Sequence, residues 1–185
     1  VVLQLGGCLA KSETESTHLV ANRYARTQKF LCAIHVVKYV VTTDWITESE
    51  KQNQFVDEKQ YIMRDPESEK IYGFNMETVL NRVDRNPIFK DYIFFVTAGV
   101  IPKSDITKAI IEAGGGTPVY KKAPTLRQIK SIEQSGRKFV IITCENDLHL
   151  CKMYLEKKIG VQNVEFILTG SIRQELDFSS FVYTL

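Results

Sequence analysis

The 185 residues suit one large or two small domains, and a hydrophobic content of 44% supplies packed cores and excludes global disorder. With 24 basic and 22 acidic residues the net charge is only +2, so no chain-wide positive field addresses a long nucleic-acid duplex. Any anion recognition must therefore be local.

In chain order, Val1 to Leu5 reads as a helix end closed by Gly6-Gly7, after which Cys8-Leu9-Ala10 begins a strand. Thr17 to Ala21 is a second strand, Thr27 to Val37 a helix, Tyr39-Val40-Val41 a third strand, and Asp44 to Lys51 a helix. The helix after Arg26 opens with cations. Its N-terminus carries partial positive charge and unpaired N–H groups, so Arg26 and Lys29 each lose a few tenths to about 1 kcal/mol there relative to acids. An external anion would reverse that sign, and the three-residue spacing lets both side chains reach one ligand. Two solvated surface cations are the competing reading of this segment.

Asp65 to Lys70 reads as a polar turn, and Asn75 as the cap of a linker helix whose Met76, Val79, Leu80 and Val83 share a stripe. Asn86-Pro87 stops that helix, and Tyr92 to Val96 has the β-rich content of a buried strand. The second half then repeats the first. Ile106 to Ala113 is a helix ending at Gly114-Gly115-Gly116, Pro118-Val119-Tyr120 a strand, Phe139 to Ile142 a strand, Asn146 to Lys158 a helix and Val164 to Leu168 the last strand. Alternating strands and helices predict a parallel sheet with helices on its faces.

Cys8, Cys32, Cys144 and Cys151 form no C-x-x-C pair, and the last three fall on or beside apolar helical faces. They read as reduced thiols of an intracellular protein without metal, cofactor or disulfide. No apolar run approaches membrane-spanning length, and the chain does not open with a secretory signal. His18, His35 and His149 lack metal-ligand spacing and read as structural. Gly114-Gly115-Gly116 follows a helix, where a dinucleotide fingerprint would precede one, and reads as a helix cap and turn. Trp45 beside Ile46 reads as core, and Lys121, Lys122, Arg127 and Lys130 as a solvated basic face. No nucleophile elbow, paired carboxylates or cysteine-histidine motif marks an enzyme.

The ordered set Leu5-Gly6-Gly7, Thr17 to Ala21, Arg26-Thr27-Gln28-Lys29-Phe30 and Asp44-Trp45-Ile46, followed by a linker helix and a more divergent second copy, resembles the BRCT repeat in tandem. The resemblance spans nearly the whole chain. It implies an α/β protein with two domains, each a four-stranded parallel sheet flanked by helices: residues 1–64 as the first repeat, 65–89 as a linker with its helix, and 90–185 as the second repeat. It also implies a non-enzymatic adaptor that docks a phosphoserine peptide across the cleft between repeats. By that resemblance Lys29, with Thr27, binds the phosphate, and Arg26 holds the peptide main chain or terminal carboxylate. Leu31, Ile101 and Gln174 form the pocket for the third residue after the phosphoserine. The implied partner is the phosphorylated C-terminal tail of the damage-marked histone variant, beside other DNA-repair or chromatin proteins in the nucleus, with no membrane and no direct DNA contact. A phosphate-independent scaffold and a DNA-end binder are the alternatives.

Comparing the halves sharpens the expectation to a single phosphate pocket. The second copy of the helix opens with Glu145, Asn146 and Asp147, acids that suit the dipole and repel phosphate. Ile172 is expected where the family usually has its tryptophan. Aligning Leu5-Gly6-Gly7 with Ala113-Gly114-Gly115 puts Val1 opposite Ala109, so the counterpart of Tyr92 through Lys108 is missing from the first copy. That segment would hold an interior first strand and the family's Ser/Thr-Gly pair. The strand is expected in the native protein, truncated here, unresolved or supplied by another chain, because an empty interior slot leaves unpaired backbone groups at about 1–3 kcal/mol each.

Overall fold

The computed structural model describes residues 1–81, 87–120 and 122–184, in two compact units, Val1–Arg85 and Asn86–Leu185. The first unit opens on the expected helix end. Leu5 N–H donates to the Val1 carbonyl (3.0 Å), Gly6 N–H to Leu3 (3.2 Å) and Gly7 N–H to Val2 (2.9 Å), with Gly6 at φ +84°. Strand β1 (His18–Val20) follows, then α1 (Gln28–Ala33), β2 (Tyr39–Val41), α2 (Thr43–Gln52), α3 (Pro66–Tyr72) and α4 (Met76–Leu80). The two strands pair in parallel, His18 opposite Tyr39 and Val20 opposite Val41. Phe30, Leu31, Cys32 and Ala33 of α1 are buried, and Val37, Val40 and Val41 are fully enclosed.

The second unit holds β3 (Tyr92–Val96), α5 (Ser104–Ala113), β4 (Thr117–Val119), α6 (Leu126–Gln134) and β5 (Lys138–Thr143). A 3₁₀ segment (Glu145–Cys151) then leads into α7 (Lys152–Glu156), β6 (Val161–Asn163) and α8 (Glu165–Arg173). Its sheet is four-stranded and parallel in the order β4-β3-β5-β6, and all five residues of β3 are buried. A central strand covered on both faces reads as a continuous apolar run, which is why Tyr92 to Val96 was legible at its observed bounds.

Several expectations need correction. The first unit's sheet has two strands among the described residues rather than four, and Cys8-Leu9-Ala10 is irregular, with Leu9 72% exposed. The hydrogen bonds explain this. Gly114 N–H donates to Ile110, Gly115 to Glu112 and Gly116 to Ile111, with Gly115 at φ +83°, so Gly6 corresponds to Gly115, Gly7 to Gly116 and Val1 to Ile110, one position from the expected alignment. Cys8–Ala10 therefore corresponds to β4, which pairs with β3, and the described residues of the first unit contain no counterpart of β3 for it to pair with.

Asp65 to Lys70 is not a polar turn: it runs into helix α3, which is capped by the Asp65 side chain on Ser68 N–H, with Pro66 at its first position and Gly73 left-handed at its end. Helix α4 is capped by Asn75 as expected; Val83, Asn86 and Lys121 lie outside the described residues. Val164 to Leu168 is not a strand. The strand is Val161–Asn163, and the run belongs to α8, which Asn163 starts by accepting the Glu165 N–H (2.8 Å); periodicity cannot tell a five-residue apolar run in a helix from one in a strand. Finally, Asn146 to Lys158 begins as 3₁₀ rather than α, and Cys144, at its cap position, makes no side-chain cap hydrogen bond.

Trp45 is core, 5% exposed, stacked between His18 and Phe55 at 5.0 and 5.2 Å, with its indole N–H donating to the Val56 carbonyl (2.9 Å). Its counterpart is Phe166 and not Ile172. Thr42 N–H donates to the Tyr61 carbonyl as Asn163 N–H does to Phe181, and Met63 N–H to Val40 as Tyr183 N–H does to Val161, a shared offset that pairs Trp45 with the fully buried Phe166. No described helix is long and apolar enough to cross a membrane, and no described His, Cys, Asp and Glu cluster could hold a metal.

Candidate phosphate-binding site

Helix α1 begins because Thr27, in extended backbone, turns its hydroxyl to accept the Phe30 N–H (3.3 Å). That cap leaves Gln28 and Lys29 as the first two helical residues, with Phe30 and Leu31 facing the core. Lys29 is exposed, and among the described residues no acid occupies the first turn. Arg26 is exposed one residue before the cap, its guanidinium carbon 5.2 Å from the centroid of the Tyr72 ring at the end of α3. Thr27, Lys29 and Arg26 thus sit together at the start of one helix.

The loop carrying Arg26 is tied down through Tyr24, which is 7% exposed. Its ring meets Phe30 edge-on at 5.2 Å, Tyr72 at 5.2 Å and Phe74 at 5.4 Å, and its N–H donates to Asp65 Oδ2 (2.9 Å). Asp65 and Tyr72 escaped the sequence reading. The Asp-Pro pair that starts a helix was the signal that could have found Asp65.

In the second unit the same region is already occupied by an anion. Gly99 N–H donates to Asp147 Oδ2 at 2.6 Å, and a Cβ at Gly99 would come within 2.9 Å of that carboxylate. The Gly99 amide first, then the Thr97 hydroxyl, hold the Asp147 carboxyl below the ordinary carboxylate range. Thr97 and Thr143 hydroxyls also bond each other at 3.0 Å.

The three residues expected in a specificity pocket have different settings. Leu31 is 1% exposed and Ile101 79%. Gln174 caps α8 in a left-handed conformation, its side-chain amide donating to the Ser171 carbonyl at 2.6 Å. Of the basic face, Lys122, Arg127 and Lys130 are exposed. Among the histidines, His18 pairs with Glu58 (3.1 Å), His149 bonds the Asn146 carbonyl (2.9 Å), and His35 is buried. Cys32 and Cys151 are buried free thiols, and burial pushes Cys32 up to about 11, whereas Cys8 is exposed.

Residues 87–181 match the family model described as BRCT domain, and residues 2–63 match the BRCT domain of Regulator of Ty1 transposition protein 107. The chain is 43% identical over 181 residues to PAX-interacting protein 1 of Bos taurus, covering 97% of this chain and 18% of that protein. It is 35% identical over 182 residues to Mediator of DNA damage checkpoint protein 1 of Homo sapiens, covering 98% of this chain and 8% of that one. The chain therefore spans less than a fifth of these relatives' lengths.

Among solved structures, the S. pombe Brc1 BRCT5-BRCT6 domains superpose with a TM-score of 0.83 at 30% identity, covering 97% of this chain and 88% of that one. A complex of Rtt107p with a phosphorylated histone superposes with a TM-score of 0.63 at 15% identity, covering 94% and 78%, a likeness that shows the fold alone. The two matched segments, the repeated Gly-Gly helix ends and the βαβ organisation of each unit identify the chain as a member of the BRCT family, a non-enzymatic tandem pair of BRCT domains.

Proposed function

We propose that this tandem pair reads phosphoserine in the tails of chromatin proteins, as a nuclear adaptor of the DNA damage response. Lys29 and Thr27 take the phosphate. Arg26 takes the peptide main chain or terminal carboxylate beyond it. The observation that carries this reading is the contrast between the two units: cations without acids at the start of α1, and a built-in carboxylate on Gly99 in the second unit. Charge-assisted hydrogen bonds to a dianion contribute about 1.5–3 kcal/mol each, enough to select the phosphorylated form of a short tail.

The leading ligand is the phosphorylated C-terminal tail of the damage-marked histone variant, supported by the Rtt107p complex with a phosphorylated histone and by the kinship with a DNA damage checkpoint mediator. Residues 1–64, 65–89 and 90–185 are the proposed first repeat, linker and second repeat. A four-stranded first repeat is supported by a groove of about 420 Å³ lined by Gly7, Cys8, Leu9, His18, Val20 and Trp45, between the counterparts of β4 and β5.

Three titrations test the function: a phosphoserine tail peptide, its unphosphorylated form, and the phosphopeptide with an amidated C-terminus. Phosphate-dependent binding that amidation weakens is expected. Equal affinity for all three would move the chain to a phosphate-independent scaffold, and steep salt dependence without phosphoserine preference to DNA ends.

A further inference from the structure

Arg26 lies on an exposed loop, where a long side chain ordinarily samples many rotamers and loses that freedom on binding. Its surroundings remove part of this disorder in advance. The guanidinium carbon is 5.2 Å from the Tyr72 centroid, and Tyr72 is braced by Tyr24 at 5.2 Å, itself packed edge-on against Phe30 beside Lys29. The opposite end of α3 grips the same loop, because Asp65 accepts the Tyr24 N–H (2.9 Å) with one oxygen and the Ser68 N–H (3.1 Å) with the other. Helix α3 is seven residues long, about 10 Å, so it joins a hydrogen bond and a ring contact across one short rigid element.

We infer that Tyr72 is a positioning residue for Arg26, and that Asp65 fixes the loop so that ring and guanidinium stay in register. A guanidinium carried over an aromatic face keeps its in-plane N–H fork available to a carboxylate or carbonyl, which a flexible ammonium does not. The contact thereby prepares Arg26 for the part of the ligand beyond the phosphate, an inference that takes its purpose from the phosphopeptide reading and its geometry from the first unit alone. Asp65 and Tyr72 belong to the stretch after the first repeat's sheet, so the segment read as a linker contributes to recognition.

The test uses the 185-residue chain and two synthetic peptides ending three residues after a phosphoserine, one with a free carboxylate and one amidated. Tyr72→Leu is expected to weaken the free-carboxylate peptide about five- to tenfold and the amidated one less than about twofold, with Tyr72→Phe restoring affinity. In an Arg26→Lys background, which leaves the core untouched, Tyr72→Leu is expected to add nothing. A readout independent of peptide is the upfield ring-current shift of the Arg26 side-chain protons, lost in Tyr72→Leu and kept in Tyr72→Phe. Unchanged affinity with unchanged Arg26 shifts overturns the positioning role, as does an equal loss on both peptides with the Arg26 shifts kept; an equal loss with those shifts lost means that Arg26 holds a main-chain carbonyl. If the unsubstituted chain binds neither peptide, the phosphopeptide reading fails, and the Arg26 shift alone decides the Tyr72 contact.

Discussion

Asp147 gives the second unit an anion of its own: its carboxylate accepts the Gly99 amide at 2.6 Å, in the unit whose helix start carries acids where α1 carries cations. Its pKa is lowered, chiefly by that amide, so the contact is complete above the unfolded carboxyl value and is lost as pH falls through the lower folded one. The Gly99 amide proton is expected to titrate with a midpoint below the ordinary aspartate range, and Asp147→Asn to abolish that titration. A midpoint at the ordinary aspartate value would disprove the attribution.

Lys29→Met is expected to lower affinity for a phosphoserine peptide about thirty-fold, roughly 2 kcal/mol, without altering the thermal transition, since Lys29 is exposed and the Thr27 cap remains. Calorimetric titration measures it, and undiminished binding by the variant would sink the phosphate assignment.

His35 is buried and held neutral, its pKa lowered by desolvation to about 4. Between that value and the unfolded one near 6.5 the unfolded chain binds more protons, so stability is full above pH ~6.5 and falls as pH drops toward 4. The loss is on the order of 2–3 kcal/mol. Urea midpoints by circular dichroism at about pH 7.5 and about pH 4.5, either side of most of that window, should differ accordingly, with His35→Gln flattening the difference. Identical profiles for the two proteins would refute it.

Amides of β1 are expected to exchange with solvent faster than those of β3, on the order of 100-fold, because β1 belongs to a two-stranded sheet and β3 is interior to four strands. Residue-resolved hydrogen exchange checks this. Comparable protection would mean that the first unit is stabilised by something other than its sheet.

What the sequence disclosed follows the range of the interactions involved. Tyr39–Val41 and Tyr92–Val96 were legible at their observed bounds because an apolar β-rich run between breakers depends on local chemistry. Arg26, Thr27 and Lys29 stood out for a similar reason, cations around the cap of a helix start. Cys8–Ala10 has a strand's composition and lacks a partner strand among the described residues, a fact no local pattern contains. Tyr72 and Asp65 were hidden by distance: Asp65 reaches Tyr24 across 41 residues, and Tyr72 reaches Arg26 only once α3 has folded. The α8 run failed differently, since Val164 to Leu168 satisfies both periodicities and Asn163 decides between them.

Trp45 is the chain's single tryptophan, and it lies in the first unit between His18 and Phe55, on the wall of the groove beside β1. Indole emission from this chain therefore comes from one unit only. It offers an optical label already in place: a blue shift would register the drying of that groove when a strand enters it, and melting of the second unit would pass without a tryptophan signal of its own.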